Sequence, residues 1–237
     1  MELSQNADEG ERKTYYPRVD RKKSEPSENE IKGNMAEESF ANFLNDKNIP
    51  YFYIDQSWKT FSKVFDINHL KRPDYIIYTE KGVFHIDVKC RKKYSLGSTG
   101  EERFYLNQNE IEKLFNFDNK LHSNTWIAFT DEKATDFFYA PIQKIYDYSM
   151  FIINGMKKRL SKKGDIKEEE IEKTGIYSND ICFIHIPESF LYNRLSFEKS
   201  FFKEPNYDFS EADVGYHIGE AIGSLMRESY RDYKKNG

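Results

Sequence analysis

Apolar and polar residues alternate strictly from Phe84 to Cys90, a pattern that predicts a β-strand. Successive side chains of a strand point to opposite faces of the sheet. One face is therefore apolar and carries Phe84, Ile86, Val88 and Cys90. The other face is polar and carries His85, Asp87 and Lys89. The preceding run Tyr75–Tyr78 is joined to this strand through a turn with Gly82, so the two segments predict an antiparallel hairpin.

Apolar residues at helical spacing predict helices on both sides of the hairpin. The upstream helix covers about 32–44, with an apolar stripe of Ala36, Phe40, Phe43 and Leu44. The downstream helix begins after Asn107, a plausible N-cap with Glu110 three residues later, which is close to a capping box. Two further apolar runs, 125–129 and 136–142, predict strands. The order indicates an α/β domain whose mixed β-sheet is flanked by helices.

The hairpin brings acidic and basic side chains to one end of the predicted sheet. Asp87 and Lys89 share a face, and the antiparallel partner strand can place Asp74 at the same edge. Two carboxylates and a lysine in this position can hold a hard divalent cation and activate a water molecule. The alternative is the polar outer face of a half-exposed strand, which is common, and the sequence by itself leaves both open.

Glu37 occupies a distinctive position on the upstream helix. At about 100° per residue it lies beside the apolar stripe, whereas Glu38 lies on the polar face. A carboxylate at the margin of a buried face needs a partner or a metal ion. The simpler interpretation, a solvated residue at the edge of the helix, is also consistent with the sequence.

Three motifs in this order resemble the PD-(D/E)xK nuclease superfamily, which has the restriction-endonuclease-like fold. Pro73-Asp74 is followed by a spacer of twelve residues and then by Asp87-Val88-Lys89. Upstream, Lys32-Gly33-Asn34-Met35-Ala36-Glu37 is similar to the first-helix motif of archaeal Holliday-junction resolvases. The resemblance covers about residues 31–145 and implies a metal-dependent phosphodiesterase, for which a DNA endonuclease in defence, repair or mobile-element biology is favoured.

The resemblance also implies a role for each motif residue. Magnesium, for which manganese can substitute, is expected at Asp74, Asp87, the backbone carbonyl of Val88, and Glu37. Lys89 is expected to assist electrostatically, because a lysine beside carboxylates stays protonated. Gln108, in the first turn of the downstream helix, is expected near the nucleophile or the scissile phosphate, although it can equally serve the start of that helix.

The chain divides into the predicted core and two flanking regions. Residues 1–30 are polar and charged, which predicts a disordered or loosely attached tail. Residues 146–237 predict a C-terminal extension packed on the core, with helical additions. Its parts are a charged excursion at 157–175, a strand at about 180–187 and a terminal helix at about 211–233.

The net charge of −4 is unusual for a protein that binds nucleic acid, so local basic groups become important. The candidates for phosphate contacts are Arg72, Arg91, Lys92 and Lys93. No run is long and apolar enough to span a membrane, and the start lacks a secretory signal. Cys90 and Cys182 each lie in an apolar strand, which predicts buried free thiols in a reducing, cytoplasmic compartment.

Two other classes of protein remain consistent with the sequence. One is a nucleic-acid-binding module that has the nuclease fold without its activity, and the other is a protein–protein interaction factor. The sequence does not distinguish DNA from RNA as substrate, although DNA is favoured. A homodimer and an activating protein partner are both compatible with it.

Overall fold

The computed structural model describes residues 26–56, 65, 69–80, 82–95, 100–162, 183–192, 213–214 and 217 of the chain. They contain three α-helices and eight β-strands. In chain order these are α1 (Glu28–Asp46), β1 (Tyr51–Tyr53), β2 (Tyr75–Thr79), β3 (Gly82–Cys90), β4 (Tyr94–Ser95), β5 (Glu102–Asn107), α2 (Gln108–Leu121), β6 (Thr125–Thr130), β7 (Phe138–Pro141), α3 (Ile142–Lys162) and β8 (Phe183–Pro187), followed by a 3₁₀ turn (Glu188–Phe190).

The main sheet has five strands in the order β1-β2-β3-β6-β7. The predicted hairpin is present, because β2 and β3 pair in antiparallel fashion with Tyr75 opposite Ile86. The remaining central pair, β3 and β6, is parallel, with Asp87 opposite Ile127. Since β1 and β7 also pair antiparallel with their neighbours, the sheet is mixed. The α/β class with a mixed sheet flanked by helices is thereby confirmed.

Strand β3 is central and is covered on both faces. Its apolar face, with Phe84, Ile86 and Val88, packs against α1 through Phe40 and Leu44. Its polar face lies under α2 instead of facing solvent. Because a helix covers each face, the strand is a core element, and the interpretation of it as a half-exposed strand is wrong.

A second, three-stranded sheet in the order β4-β5-β8 extends the core. Strand β5 was not predicted, since its residues were taken for the lead into α2. Phe104 and Leu106 of β5 pack with Ile184 and Ile186 of β8 in one buried apolar cluster. Strand β8 lies within the predicted segment 180–187, of which the described part begins at Phe183.

The N-terminal boundary lies a few residues earlier than predicted. The Ser27 hydroxyl accepts a hydrogen bond from the Glu30 backbone N–H at 3.3 Å, and the Glu30 carboxylate accepts one from the Ser27 N–H at 2.7 Å. This capping box starts α1 at Glu28, inside the region predicted as a tail. The tail upstream of residue 26 lies outside the described residues.

The predicted boundary between residues 145 and 146 falls inside α3, which runs continuously from Ile142 to Lys162. The first residues of the predicted charged excursion therefore belong to this helix, and the rest of 157–175 lies outside the described residues. Most of the predicted terminal helix also lies outside them, but Asp213, Val214 and His217 are helical. Within the described part of the chain, no helix has the length and apolar character needed to cross a membrane.

Candidate active site

Asp74 lies at the entry to β2, where the pairing of the hairpin fixes its direction. Its backbone N–H donates to the carbonyl of Ile86 at 2.9 Å. Its side-chain Oδ2 accepts a hydrogen bond from the backbone N–H of Val88 at 2.7 Å. The carboxylate is therefore held against the Asp87–Lys89 segment, as the sequence predicted, and it is almost completely buried.

Asp87 and Lys89 project from the same face of β3 into the space between the sheet and α2. Asp87 is 0% exposed and Lys89 is 6% exposed. The Lys89 ammonium forms an ion pair with Asp87 Oδ2 and donates to the Val88 carbonyl at 3.2 Å. A buried carboxylate and a buried ammonium side by side require further charged partners.

Those partners are Lys71 and Glu110, two residues that the sequence analysis did not select for the site. The Lys71 ammonium lies 3.2 Å from Asp87 Oδ1 and 2.5 Å from Glu110 Oε1. The same Glu110 oxygen lies 3.4 Å from the Lys89 ammonium. Lys71, Asp87, Lys89 and Glu110 thus form a closed ring of alternating charge, which we call the four-charge ring.

The sequence predicted Asn107 as the N-cap of α2, with Glu110 three residues later in a pattern close to a capping box. Asn107 does cap the helix, with its Oδ1 accepting from the Asn109 backbone N–H at 2.8 Å. The Glu110 carboxylate instead binds the lysines of the ring and the Arg91 guanidinium, which is 3.3 Å away. The ammonium groups of Lys71 and Lys89 and the guanidinium of Arg91 bind this carboxylate more strongly than the backbone N–H of Asn107 would, because each carries a full positive charge.

The charges of the site shift its pKa values in opposite directions. Burial raises the pKa of Asp74 to about 7, and the negative charge of Asp87 adds to the effect, while Lys89 and Lys71 oppose it. Burial would by itself lower the pKa of Lys89, but Asp87, Glu110 and Asp74 outweigh it and raise that pKa above its ordinary value. Lys89 is therefore charged at neutral pH, as expected for an electrostatic role.

The pKa of Glu110 moves the other way. Burial would raise it, but the positive charges of Lys89, Lys71 and Arg91 outweigh that effect and lower the pKa far below its ordinary range. Glu110 is therefore negatively charged at neutral pH. It is a fixed anion that holds the two lysines in place.

Glu37 of α1 is held by two tyrosines. Its carboxylate Oε2 accepts a hydrogen bond from the Tyr53 hydroxyl at 2.8 Å, and its backbone carbonyl accepts one from the Tyr75 hydroxyl at 2.7 Å. It is half-buried, whereas Glu38 is exposed, in agreement with the predicted helix faces. Glu37 is near enough to contribute to the raised pKa of Asp74.

Gln108 is buried at the first position of α2, pointing inward as predicted. Its side-chain nitrogen donates to Glu112 at 3.0 Å, and its side-chain oxygen has no hydrogen-bond partner in the part of the chain that the structure describes. Among the described residues, the member of this helix that contacts Lys89 is Glu110, two positions further along. The predicted role of Gln108 near the scissile phosphate stays a prediction.

The four basic candidates for phosphate contacts have different surroundings. Lys92 is exposed at the end of β3. Arg91 is part-buried and pairs with Glu110, and Arg72 is only 8% exposed. The Lys93 ammonium is bound to Glu188 at 2.7 Å and Glu102 at 3.0 Å, and it lies 4.4 Å from the centre of the Phe138 ring. Of the four, Lys92 is the one whose surroundings favour a direct phosphate contact.

The oxygen atoms of the site fit a hard divalent cation. The two carboxylates and the Val88 carbonyl are ligands that Mg²⁺ and Mn²⁺ prefer. Among the described residues, neither oxygen of Asp87 has a hydrogen-bond partner, and the ammonium groups of Lys71 and Lys89 form ion pairs with them. In the described part of the chain, no three His, Cys, Asp or Glu side chains form a metal cluster by themselves. Water and substrate phosphate would complete the shell of Mg²⁺, as is usual for that ion.

The mixed sheet and this site agree with the restriction-endonuclease-like architecture that the sequence motifs predicted. Residues 32–138 match the family of nuclease-related domains, abbreviated NERD. The matched stretch begins with the Lys32-Gly33 motif and contains Asp74, Asp87 and Lys89. This match to a nuclease-related family agrees with the superfamily predicted from the three motifs, and it supports a nuclease-type hydrolase.

Comparison with solved structures returns nucleases at low similarity. Hjc, a Holliday junction resolvase from the archaeal hyperthermophile Archaeoglobus fulgidus, is 19% identical, with a TM-score of 0.35 over 47% of this chain and 78% of that one. The bacterial homing endonuclease I-Ssp6803I is 12% identical, with a TM-score of 0.31 over 52% of this chain and 74% of that one. No curated protein sequence matches the chain.

Proposed function

We propose that the protein is a metal-dependent nuclease that hydrolyses phosphodiester bonds, acting as an endonuclease on DNA. The observation that carries the proposal is the fully buried Asp87, whose two oxygens pair with Lys71 and Lys89, beside the buried Asp74 with its raised pKa. Such an arrangement costs stability in the metal-free protein. Binding of a divalent cation by the two carboxylates would explain why this arrangement is present despite its cost in stability.

Each residue has a defined role in this proposal. Asp74, Asp87 and the Val88 carbonyl would hold Mg²⁺ or Mn²⁺, and Glu37 would act through a water molecule. The bound cation would supply an activated water and neutralise charge on the phosphate. Lys89, protonated and fixed by Asp87 and Glu110, would stabilise the charge that develops on the phosphate in the transition state.

DNA is proposed as substrate over RNA, in defence, repair or the biology of mobile elements. The exposed Lys92 and the part-buried Arg91, directly after the motif strand, would contact the phosphate backbone next to the site. Specificity would come from residues outside this set, because phosphate contacts position a nucleic acid without reading its sequence. A cytoplasmic location, a homodimer and an activating partner are compatible proposals.

The first prediction concerns metal-dependent cleavage and the lysine of the motif. We expect Mg²⁺ or Mn²⁺ to support cutting of at least one of duplex plasmid, single-stranded DNA, branched DNA and RNA. Lys89→Met should reduce the rate by a factor of about 10² or more, because it removes a fixed charge at the developing oxyanion. The assay compares wild type, Lys89→Met and Lys133→Met with each substrate, in metal and in EDTA.

Lys133 is the matched control because it is an exposed lysine in the turn after β6. Its replacement changes the net charge by the same amount and should leave cutting intact. Circular dichroism of each variant checks that it has folded. Undiminished metal-dependent cutting by Lys89→Met would reject the assigned role of Lys89. A failure of wild type to cut any substrate would favour a binding module with the same fold.

A further inference from the structure

Lys71 is positioned differently from the lysine of the motif. Its ammonium bridges Asp87 and Glu110, yet its side chain is 28% exposed, compared with 7% for Lys89. It precedes β2 in a segment without regular secondary structure, where its backbone N–H donates to the Lys113 carbonyl of α2 at 3.3 Å. Lys71 therefore closes the four-charge ring on the side that is open to solvent.

Of the two lysines that pair with Asp87, Lys71 is the one nearer to solvent. The side chain of Asp87 is fully buried, Lys89 occupies Oδ2, and Lys71 occupies Oδ1. The bond to Lys71 is an ion pair without a hydrogen bond from a backbone group to the same oxygen. A small cation that binds Oδ1 therefore competes with the ammonium of Lys71 for the same oxygen.

We propose that Lys71 is an internal cation that neutralises the site until a divalent ion binds and then transfers to the phosphate of the nucleic acid. This inference rests on the proposed function, because it concerns the same metal site. Lysine suits the role, since it carries a compact charge on a flexible four-carbon stem. A divalent ion at Asp87 repels the ammonium, and a phosphate at the site attracts it.

Lys89 does not have the same freedom. It is fixed by Asp87, Glu110 and the Val88 carbonyl, and it belongs to the central strand of the sheet. Glu110 remains paired with Lys89 and Arg91 after Lys71 leaves. The ring therefore opens at one corner without leaving a buried charge unpaired.

The second prediction follows from competition for Asp87. In Lys71→Met the competing cation is absent, so Mn²⁺ should bind about tenfold more tightly than to wild type, which corresponds to about 1.4 kcal/mol. Isothermal titration of the metal-free protein with Mn²⁺, without nucleic acid, measures this directly. Lys47→Met, at an exposed lysine that ends α1, is the control and should bind Mn²⁺ as wild type does.

The outcomes separate the two proposals. Mn²⁺ binding by wild type that is not tightened in Lys71→Met would overturn the role of Lys71 and leave the metal-dependent nuclease intact. The absence of Mn²⁺ binding by either protein would overturn both. Binding that weakens in Lys71→Met would show that Lys71 supports the site instead of competing for it, and would also overturn the inference.

Transfer to phosphate has its own readout. Lys89→Met serves as a background in which cutting is suppressed, and a fluorescein-labelled duplex DNA is the probe. Adding Lys71→Met to this background should weaken DNA binding several-fold in Mn²⁺ and have little effect in EDTA, where Lys71 is held by Asp87 and Glu110. An equal loss in both conditions, or no loss in either, would overturn the transfer.

Discussion

At the scale of single residues, the environment of Asp87 explains most of the electrostatics of the site. Its charge raises the pKa of Asp74 and helps to keep Lys89 protonated. The lysine and glutamate that complete its surroundings, Lys71 and Glu110, lie outside the sequence motifs. The site is therefore a buried network that must stay neutral overall, and removal of one carboxylate has consequences for stability as well as for activity.

The third prediction concerns the pH dependence of stability at Asp74. Its folded-state pKa of about 7 lies above the ordinary value of 3.8, so the native protein retains a proton that the unfolded chain has lost. The free energy of unfolding should therefore fall as the pH rises from about 4 to about 7. Above about pH 7 the full destabilisation caused by ionised Asp74 is present. Asp74→Asn removes the cost and should stabilise the metal-free protein at about pH 8 by roughly 1–3 kcal/mol.

Urea unfolding in EDTA at several pH values tests this expectation, with Asp46→Asn, an exposed aspartate of α1, as the control. The difference between Asp74→Asn and wild type should shrink towards acidic pH. Mn²⁺ should stabilise wild type and not Asp74→Asn, because binding to the native state alone stabilises it. If Asp74→Asn were less stable than wild type at alkaline pH, ionised Asp74 would not destabilise the metal-free protein, and the prediction would be wrong.

At the scale of elements, the strictly alternating strand and the helix with a regular apolar stripe were predicted correctly. Strand β3 and helix α1 both have patterns set by their own residues. Strand β4 has only two residues, and β5 runs directly into α2, so neither offers a periodic segment of its own. Their strand character depends on pairing with each other and with β8, which is distant in sequence.

The fourth prediction concerns the contact of α3 with the segment at Val214. A Cβ on Gly155 would lie 2.5 Å from the Val214 Cγ2 atom, which is too close for the packing to remain unchanged. Gly155→Ala should therefore destabilise the protein by about 1–2 kcal/mol, despite the better helix propensity of alanine. Denaturant unfolding measures the change.

Gly33→Ala in α1 is the matched control, because a Cβ at Gly33 would have nothing within 4 Å. The same substitution there should stabilise the helix by up to about 1 kcal/mol. A stabilising Gly155→Ala would mean that the Val214 side chain moves without cost, contrary to the close contact that the structure shows.

At the scale of the whole molecule, a buried ion pair connects the second sheet to the C-terminal segment. The Arg103 guanidinium of β5 lies 2.9 Å from Asp213 Oδ1, and the two side chains are 6% and 2% exposed. His217 adds to this connection by accepting a hydrogen bond from the His185 backbone N–H at 2.9 Å. Contacts between residues more than a hundred positions apart in sequence thus hold the extension on the core.

The fifth prediction is that Asp213→Ala destabilises the protein by about 3–5 kcal/mol. The substitution leaves the buried Arg103 without its most buried anionic partner. Glu101→Ala is the comparison, because Glu101 pairs with the same guanidinium at 2.7 Å but is 28% exposed, and it should cost about 1 kcal/mol or less. If urea unfolding showed equal losses of stability for Asp213→Ala and Glu101→Ala, the buried ion pair would not stabilise the protein more than the exposed one, and the prediction would be wrong.

The sequence by itself determined the hairpin that carries Asp74, Asp87 and Lys89, the faces of β3 and the helix with Glu37. These features follow from local periodicity, which depends on the residues of one segment. Only the tertiary structure decided that α2 covers the polar face of β3 and that Lys71 and Glu110 close the four-charge ring. It also decided that Lys93 is bound by carboxylates. These features depend on contacts between segments far apart in sequence, whose burial and charge partners no local pattern specifies.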